Sequence, residues 1–96
     1  MVERTIRFGE HPAVPVIGQG TWYMGENPAL RAQEAAALRA GIDLGLTVID
    51  AAEMYADGGA EEVVGEAIRG QRDRVVLVSK VYPWNAGGRK IARACE

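Results

Sequence analysis

The chain has little of the chemistry that builds metal or disulfide sites: among its 96 residues there is one cysteine, Cys95, and one histidine, His11. A single cysteine cannot form an internal disulfide, which favours a reducing compartment, the cytoplasm. Because no cluster of His, Cys and carboxylate residues occurs at metal-ligand spacing, we predict no metal site. His11 lies beside Pro12 in a predicted turn, and we interpret it as a surface residue.

Neither sign of charge dominates the sequence, and no apolar run is long. The net charge is -2 and the pI about 5.4, which argues against a nucleic-acid-binding protein, since such proteins usually carry a basic patch. Arg69, Arg72 and Arg74 are three basic residues within six positions, but Asp73 interrupts them, as in a solvated helix end and turn. The apolar runs are too short to span a membrane, and the charged N-terminal segment does not resemble a signal peptide.

Along the whole chain, segments with the pattern of β-strands alternate with segments that have the pattern of helices. Residues 5–18 predict a hairpin of edge character, because prolines at 12 and 15 cannot serve a central ladder. Residues 18–25, "GQGTWYMG", are strand-like but interrupted by glycine. Further strands are predicted over 46–50 and 74–80, and helices over 26–45, 60–70 and 89–96. This order is a βα repeat, and the apolar residues on both alternating faces of 46–50 predict a parallel strand covered on both sides.

The sequence contains capping residues at the ends of the first predicted helix and apolar residues at helical spacing in the first two. Asn27 can cap the first helix, Pro28 suits its first position, and Gly45 suits its C-terminal cap. The residues predicted to face the sheet are Ala35, Leu38, Ile42, Val64 and Ile68.

Two predicted apolar strands end on charged residues, Asp50 and Lys80. The two residues are roughly 30 positions apart, which is about the length of one βαβ unit. Parallel neighbours about 4.8 Å apart would bring the two side chains together at the C-terminal edge of the sheet, where α/β folds build their sites. Burial of this ion pair would cost about as much free energy as the attraction returns. Function is therefore a better reason for the pair than stability.

Tyr55 follows Asp50 by five positions and suggests what that function is. A nearby ammonium favours the phenolate form and makes a phenol a stronger acid, so Asp50, Lys80 and Tyr55 could form a proton-donor relay for a carbonyl oxygen. A structural salt bridge beside a core tyrosine explains the same spacing equally well. Trp22 and Trp84 each follow a strand, a position typical of a pocket wall.

The glycines of "GQGTWYMG" do not form a dinucleotide-binding fingerprint. After Gly18 and Gly20 the third glycine would fall at Tyr23, and no helix follows at once. The end of a barrel strand beside a flat bound ligand fits these glycines better.

Three segments closely resemble the aldo-keto reductase family. "IGQGTW" looks like its first-strand motif, "VIDAAEMYADGGAEEVVGEAI" like its second strand, catalytic loop and helix, and "VVLVSKVYPWN" like its third strand with the catalytic lysine. The resemblance runs over the whole chain and is greatest to the bacterial branch that reduces methylglyoxal. It implies that residues 1–96 form the N-terminal part of a (β/α)8 TIM barrel, a hairpin plus about three βα units.

The resemblance also implies an activity, the metal-free transfer of hydride from NADPH to a small carbonyl substrate. Asp50, Tyr55 and Lys80 match three of the four catalytic residues: Tyr55 would donate the proton, Lys80 would make its phenol more acidic, and Asp50 would hold Lys80. The segment matching the nicotinamide and substrate pocket includes Gly20, Thr21 and Trp22, with Asp50 beside the cofactor. Trp22 and Trp84 are the substrate-pocket candidates.

The chain departs from the family pattern in what it does not contain. The fourth catalytic residue, a histidine, and most NADPH-binding residues would follow Glu96, since a TIM barrel takes about 250 residues. The expectation is an incomplete barrel with little activity alone, and a monomer at full length. An open apolar face and an unpaired strand edge are hazards for self-association.

Two other function classes remain as alternatives. The first is a small α/β interaction module that pairs with copies of itself to complete its sheet. The second is a short-chain dehydrogenase, but there the lysine follows the tyrosine by four residues, and that position holds Gly59.

Overall fold

The computed structural model of the chain describes residues 4–7 and 9–95. The strands are β1 (Thr5–Ile6), β2 (Val14–Pro15), β3 (Gln19–Gly20), β4 (Val48–Asp50) and β5 (Val76–Val78). The helices are α1 (Arg31–Asp43), α2 (Gly59–Ala67) and α3 (Arg89–Cys95). Among the described residues, no helix is both long and apolar enough to cross a membrane.

The strands form two separate sheets. β1 and β2 pair antiparallel as the predicted hairpin, and His11 is exposed in the loop between them. β3, β4 and β5 form a parallel sheet in that order, so the βα repeat is confirmed. In its register Gly20 lies opposite Asp50, and Asp50 lies opposite Val78.

The end signals of the first helix act as the sequence predicts. The Asn27 side chain accepts a hydrogen bond of 3.0 Å from the Ala29 amide, which caps a short 3-10 turn, Pro28–Leu30, leading into α1. At the other end Gly45 takes a left-handed conformation, with φ of 97°. Its amide donates to the Ile42 carbonyl, so the chain reverses directly into β4.

The core lies between the helices and one face of the parallel sheet. Leu38 and Ile42 of α1 and Val63 and Val64 of α2 pack there against Ile49 of β4, all of them 2% exposed or less. The predicted sheet-facing residues Ala35 and Ile68 belong to the same cluster. Full burial of a side chain of this size contributes about 1.5–3 kcal/mol, so this one-sided layer accounts for most of the hydrophobic stabilisation.

The other face of the sheet, the inner face, is open. It carries Val48, Asp50, Val76 and Val78, because side chains alternate along strands whose intervening residues point to the helices. Val78 is 44% exposed. This exposure agrees with the open apolar face expected of an incomplete barrel, and it departs from the expectation that these strands are covered on both sides.

Two further boundaries differ from the predictions. The strand-like segment 18–25 contains only the two residues of β3, because the backbone turns at once: the Met24 amide donates to the Thr21 carbonyl, and Tyr23 has φ of 76°. The second helix ends at Ala67 rather than near residue 70. The residues up to Gly70, which has φ of 79°, form a turn.

Gln19 ties β3 to the end of α1. Its side-chain amide donates to the carbonyls of Leu38 and Leu46 at 3.1 and 3.0 Å. Gly41 provides the space, since a Cβ there would overlap the Gln19 amide oxygen. A polar side chain thus enters the helix–sheet junction with both N–H groups of its amide hydrogen-bonded, as burial requires.

Gly25 and Gly59 bring two loops into direct backbone contact. A Cβ on Gly25 would overlap the Gly59 carbonyl carbon, and a Cβ on Gly59 would lie 2.6 Å from the Gly25 oxygen. Gly25 also has φ of 83°, a conformation that side chains disfavour. The loop after β3 is therefore held against the start of α2, directly after the loop that carries Tyr55.

We expect Gly25→Ala to destabilise the chain more than Gly70→Ala. Both residues have left-handed backbone, but the space around a Cβ on Gly70 is open, so its substitution should cost about 1–2 kcal/mol from backbone strain alone. The clash at Gly25 should raise the loss to about 2–4 kcal/mol. Urea unfolding followed by circular dichroism measures both; equal losses would contradict the importance of the glycine contact.

Candidate active site

Asp50 and Lys80 meet on the inner face at the C-terminal edge of the parallel sheet. The ladder continues past the assigned strands, because the Ala51 amide donates to the Val78 carbonyl and the Glu53 amide to the Lys80 carbonyl, each at 2.8 Å. Because Lys80 follows Val78 by two residues in this extended ladder, its side chain lies on the same face of the sheet as Asp50. The Lys80 Nζ donates to Asp50 Oδ1 at 2.8 Å. The structure thus brings the predicted pair together.

The pair is half-exposed rather than buried. The side chains of Lys80 and Asp50 are 48% and 46% exposed. The hydrogen bond to Asp50 raises the pKa of Lys80 above its ordinary value of 10.5. Any stabilisation from this shift is fully present below about pH 10.5 and is lost as the pH rises through the folded-state pKa.

Tyr55 lies beside this pair on the loop after β4. The Lys80 Nζ is 5.2 Å from the centre of the Tyr55 ring. The Tyr55 ring also stacks with Trp22, with centroids 6.3 Å apart and planes at 19°, and Trp22 in turn stacks on Tyr23 at 5.0 Å. Asp50, Tyr55, Lys80 and Trp22, predicted from three separate segments, therefore form one cluster.

Thr21 and Gly20 position the cluster from the β3 side. Thr21 is fully buried, and both its hydroxyl and its amide donate to the Asp50 carbonyl, at 2.8 and 3.1 Å. The hydroxyl proton of Thr21 is therefore engaged within the chain. A Cβ on Gly20 would meet no other atom within 4 Å, so the space above the strand end is free for a flat ligand.

Trp84, the other predicted pocket residue, contacts a different partner. Its ring stacks on Tyr82 with centroids 4.3 Å apart, in the short 3-10 turn Pro83–Asn85 and the residue before it. The aromatic contacts of the described residues thus form two groups, one around Trp22 and one around Trp84.

A carboxylate network that the sequence reasoning missed joins the loop that carries Tyr55 to the loop that carries Trp84. Glu53 accepts hydrogen bonds from the Tyr82 amide and the Asn85 side chain, and Asp57 accepts one from the Tyr82 hydroxyl. In a sequence, acidic residues in a loop look like ordinary solvated charges. The one feature of the sequence that could have indicated this network is the pair of hydrogen-bond donors, Tyr82 and Asn85, in the loop after the next strand.

The described residues contain no group of three or more His, Cys, Asp or Glu side chains arranged to hold a metal ion. The cluster instead offers a phenol, an ammonium and a carboxylate. Together they can donate a proton and stabilise the negative charge left behind.

Residues 16–93 match the family model described as the Aldo/keto reductase family. The chain is 65% identical to methylglyoxal reductase YeaE of Escherichia coli over 96 residues, which are all of this chain and 34% of that protein. It is 42% identical to aldo-keto reductase YhdN of Bacillus subtilis over 69 residues, which are 67% of this chain and 21% of that protein. The chain therefore spans about a third or less of the length of these relatives.

The fold has a solved counterpart in the crystal structure of an aldo/keto reductase from Klebsiella pneumoniae in complex with NADP and acetate. The two superimpose with a TM-score of 0.89 at 76% identity, over 98% of this chain and 33% of that one. The fold class predicted from the sequence, the hairpin and first βα units of a (β/α)8 barrel, is thereby confirmed. The parallel sheet of the described residues is open rather than closed into a barrel.

We expect Asp50→Asn to lower the pKa of Lys80 towards 10.5, because the charged partner that raises it is removed. Nuclear magnetic resonance of the lysine Cε and Nζ signals against pH measures this, with Lys90, the other lysine of the chain, as reference. Asp43→Asn is the matched control, since Asp43 lies 3.4 Å from Arg74 instead. An unchanged Lys80 titration in Asp50→Asn would show that the ion pair is not the cause.

Proposed function

Because the chain belongs to the aldo/keto reductase family, we propose that its described residues form the proton-donating part of an NADPH-dependent reductase of small aldehydes and ketones such as methylglyoxal. The observation that carries this proposal is the 2.8 Å contact between Lys80 and Asp50 beside the Tyr55 ring. The similarity to a methylglyoxal reductase supports the choice of substrate.

Each of the three residues has its own part in the proposed proton transfer. Tyr55 donates its phenolic proton to the carbonyl oxygen of the substrate as that oxygen gains negative charge. The Lys80 ammonium, 5.2 Å from the ring centre, favours the phenolate that remains, because opposite charges attract more strongly where water is excluded. Asp50 orients the ammonium and keeps it protonated, which is the direction in which it shifts the pKa of Lys80.

The open strand end fits a flat cofactor ring. Gly20 leaves free space beside Asp50, and Trp22 offers an exposed aromatic face. We propose that Gly20, Thr21, Trp22 and Asp50 hold the nicotinamide end of NADPH, and that Trp22 and Trp84 line the substrate pocket. NADPH supplies the hydride when bound. Thr21 contributes by fixing the Asp50 backbone, since its own hydroxyl proton is engaged there.

The chain matches 34% of the methylglyoxal reductase, so we propose that it works as the N-terminal portion of such an enzyme and has little or no activity by itself. Complete catalysis then requires residues from the rest of a barrel. Its single cysteine fits the reducing cytoplasm as the place of action.

A second candidate, a module that pairs with its own copies, is favoured by exposed apolar residues on and beside the parallel sheet. Val16, Ile17 and Val78 are exposed by 48%, 61% and 44%, and within the described sheet β3 and β5 each pair with β4 only. Exposed apolar residues beside unpaired strand edges promote association. In sizing chromatography a compact, cooperatively unfolding dimer would support the module; an aggregating or partly folded chain would support the reductase portion.

The reductase proposal is tested by a chimera in which residues 1–96 replace the matching third of the E. coli methylglyoxal reductase. We expect the chimera to oxidise NADPH in the presence of methylglyoxal, and Tyr55→Phe to lower kcat by about 100-fold or more, because a general acid contributes roughly that factor. The unmodified 96-residue chain should show little or no turnover in the same assay.

Tyr23→Phe in the chimera is the matched control, since it removes a neighbouring phenol from the same aromatic stack. If Tyr55→Phe and Tyr23→Phe lost equal activity, Tyr55 would not be the proton donor. Full turnover by the 96-residue chain alone would contradict its role as one portion of a larger enzyme.

A further inference from the structure

Glu53 connects the loop that carries Tyr55 to the loop that carries Trp84. Its backbone amide donates to the Lys80 carbonyl at 2.8 Å. Its carboxylate accepts from the Tyr82 amide at 2.8 Å and from Asn85 Nδ2 at 2.9 and 3.0 Å, so both carboxylate oxygens are used. Three separate points of the segment from Lys80 to Asn85 are therefore bonded to this one residue.

Asp57 holds the same segment from the other side of Tyr55. The Tyr82 hydroxyl donates to Asp57 Oδ1 at 2.8 Å. This hydrogen bond to a carboxylate raises the pKa of Tyr82. Asp57 has φ of 50°, a left-handed conformation that aspartate tolerates better than most residues. Tyr82 is thus bonded through its amide to Glu53 and through its hydroxyl to Asp57, with Tyr55 between the two acids in the chain.

We propose that Glu53 is a positioning residue that fixes the Tyr82–Trp84 aromatic pair relative to Tyr55 and so sets which carbonyl compounds reach the proton donor. The proposal rests on the proposed function, in which Tyr55 is that donor. Asp57 provides the second attachment of the same pair. The hydrogen bonds of the Glu53 carboxylate go to Tyr82 and Asn85 rather than to Tyr55 or the Lys80 ammonium, so Glu53 acts through the loop that it holds.

A carboxylate suits this position better than any neutral side chain. Hydrogen bonds to a charged acceptor are about twice as strong as those between neutral groups. Glu53 faces an amide N–H of Tyr82 and an NH2 group of Asn85, both of which are donors only. A glutamine oxygen in place of Oε1 would be an uncharged and weaker acceptor for Tyr82, and its NH2 group in place of Oε2 would face the NH2 group of Asn85. Glu53→Gln therefore weakens the connection between the two loops at almost unchanged side-chain volume.

The first test measures these hydrogen bonds without catalysis, by hydrogen exchange in the same chimera with the E. coli methylglyoxal reductase. We expect Glu53→Gln to speed exchange of the Tyr82 amide by about tenfold or more, while the Val64 amide in α2 keeps its rate. Glu10→Gln, an exposed change in the hairpin loop, should alter neither rate. Equal acceleration at Tyr82 and Val64 would mean a general loss of stability and would overturn the proposal, as would unchanged exchange at Tyr82.

The second test measures selectivity in the chimera with the E. coli methylglyoxal reductase. We expect Glu53→Gln to raise the ratio of kcat/KM for benzaldehyde to that for methylglyoxal by about fivefold, since a loosened wall admits the larger substrate. Trp84→Ala should change the ratio in the same direction, and Glu10→Gln should not change it. A structural role alone would lower both kcat/KM values by one common factor, and that result would overturn the proposal.

The two tests separate the failure of this proposal from the failure of the proposed function. If the parent chimera does not reduce methylglyoxal, the reductase proposal fails, and the exchange rates alone decide whether Glu53 couples the two loops. If the chimera is active and the Glu53→Gln ratio is unchanged, the reductase proposal stands and the positioning role is refuted.

Discussion

The parallel register between β4 and β5 is the constraint on which the candidate site depends. It sets Asp50 opposite Val78, which places Lys80 on the same face two residues further along. Because side chains alternate, a slip of one residue would turn Lys80 towards the helices and separate it from Asp50. The buried layer of Ile49, Leu77 and the helix residues prevents that slip, since it would bring polar or charged groups into the core.

The loops beyond the sheet are held by means that differ in strength and in kind. The loop after β3 is fixed by the backbone contact of Gly25 with Gly59, which tolerates no added atom. The loops after β4 and β5 are joined by the carboxylates of Glu53 and Asp57, which are polar and partly solvated. Steric contact thus sets the position of Trp22, and electrostatic contact sets that of Trp84. Ionic strength and pH should therefore affect the second position more than the first.

The sequence predicted those parts of the structure that follow from periodicity. The apolar face of α1 was visible in the spacing of Ala35, Leu38 and Ile42, and the meeting of Asp50 with Lys80 followed from one βα repeat. The relative placement of loops was not predictable. The stack of Trp22 on Tyr55 depends on how closely Gly25 approaches Gly59, for which a sequence has no periodic signal. The open inner face follows from the incomplete barrel expected from the sequence, whereas the apolar pattern of each strand shows only what that strand can bury.

The one-sided core has a consequence for the order of folding. Every residue of the buried cluster, from Ala35 to Val75, lies in α1, β4, α2 or the segments that directly follow or precede them, so its contacts close loops of one or two βα units. The parallel pairing of β4 with β5 joins residues 28 positions apart, and such pairing is slow because the entropy of loop closure is lost before the contact forms. We therefore expect the register that joins Asp50 to Lys80 to form after the contacts within each helix, so the acid–base pair assembles only once the helices have packed on the sheet.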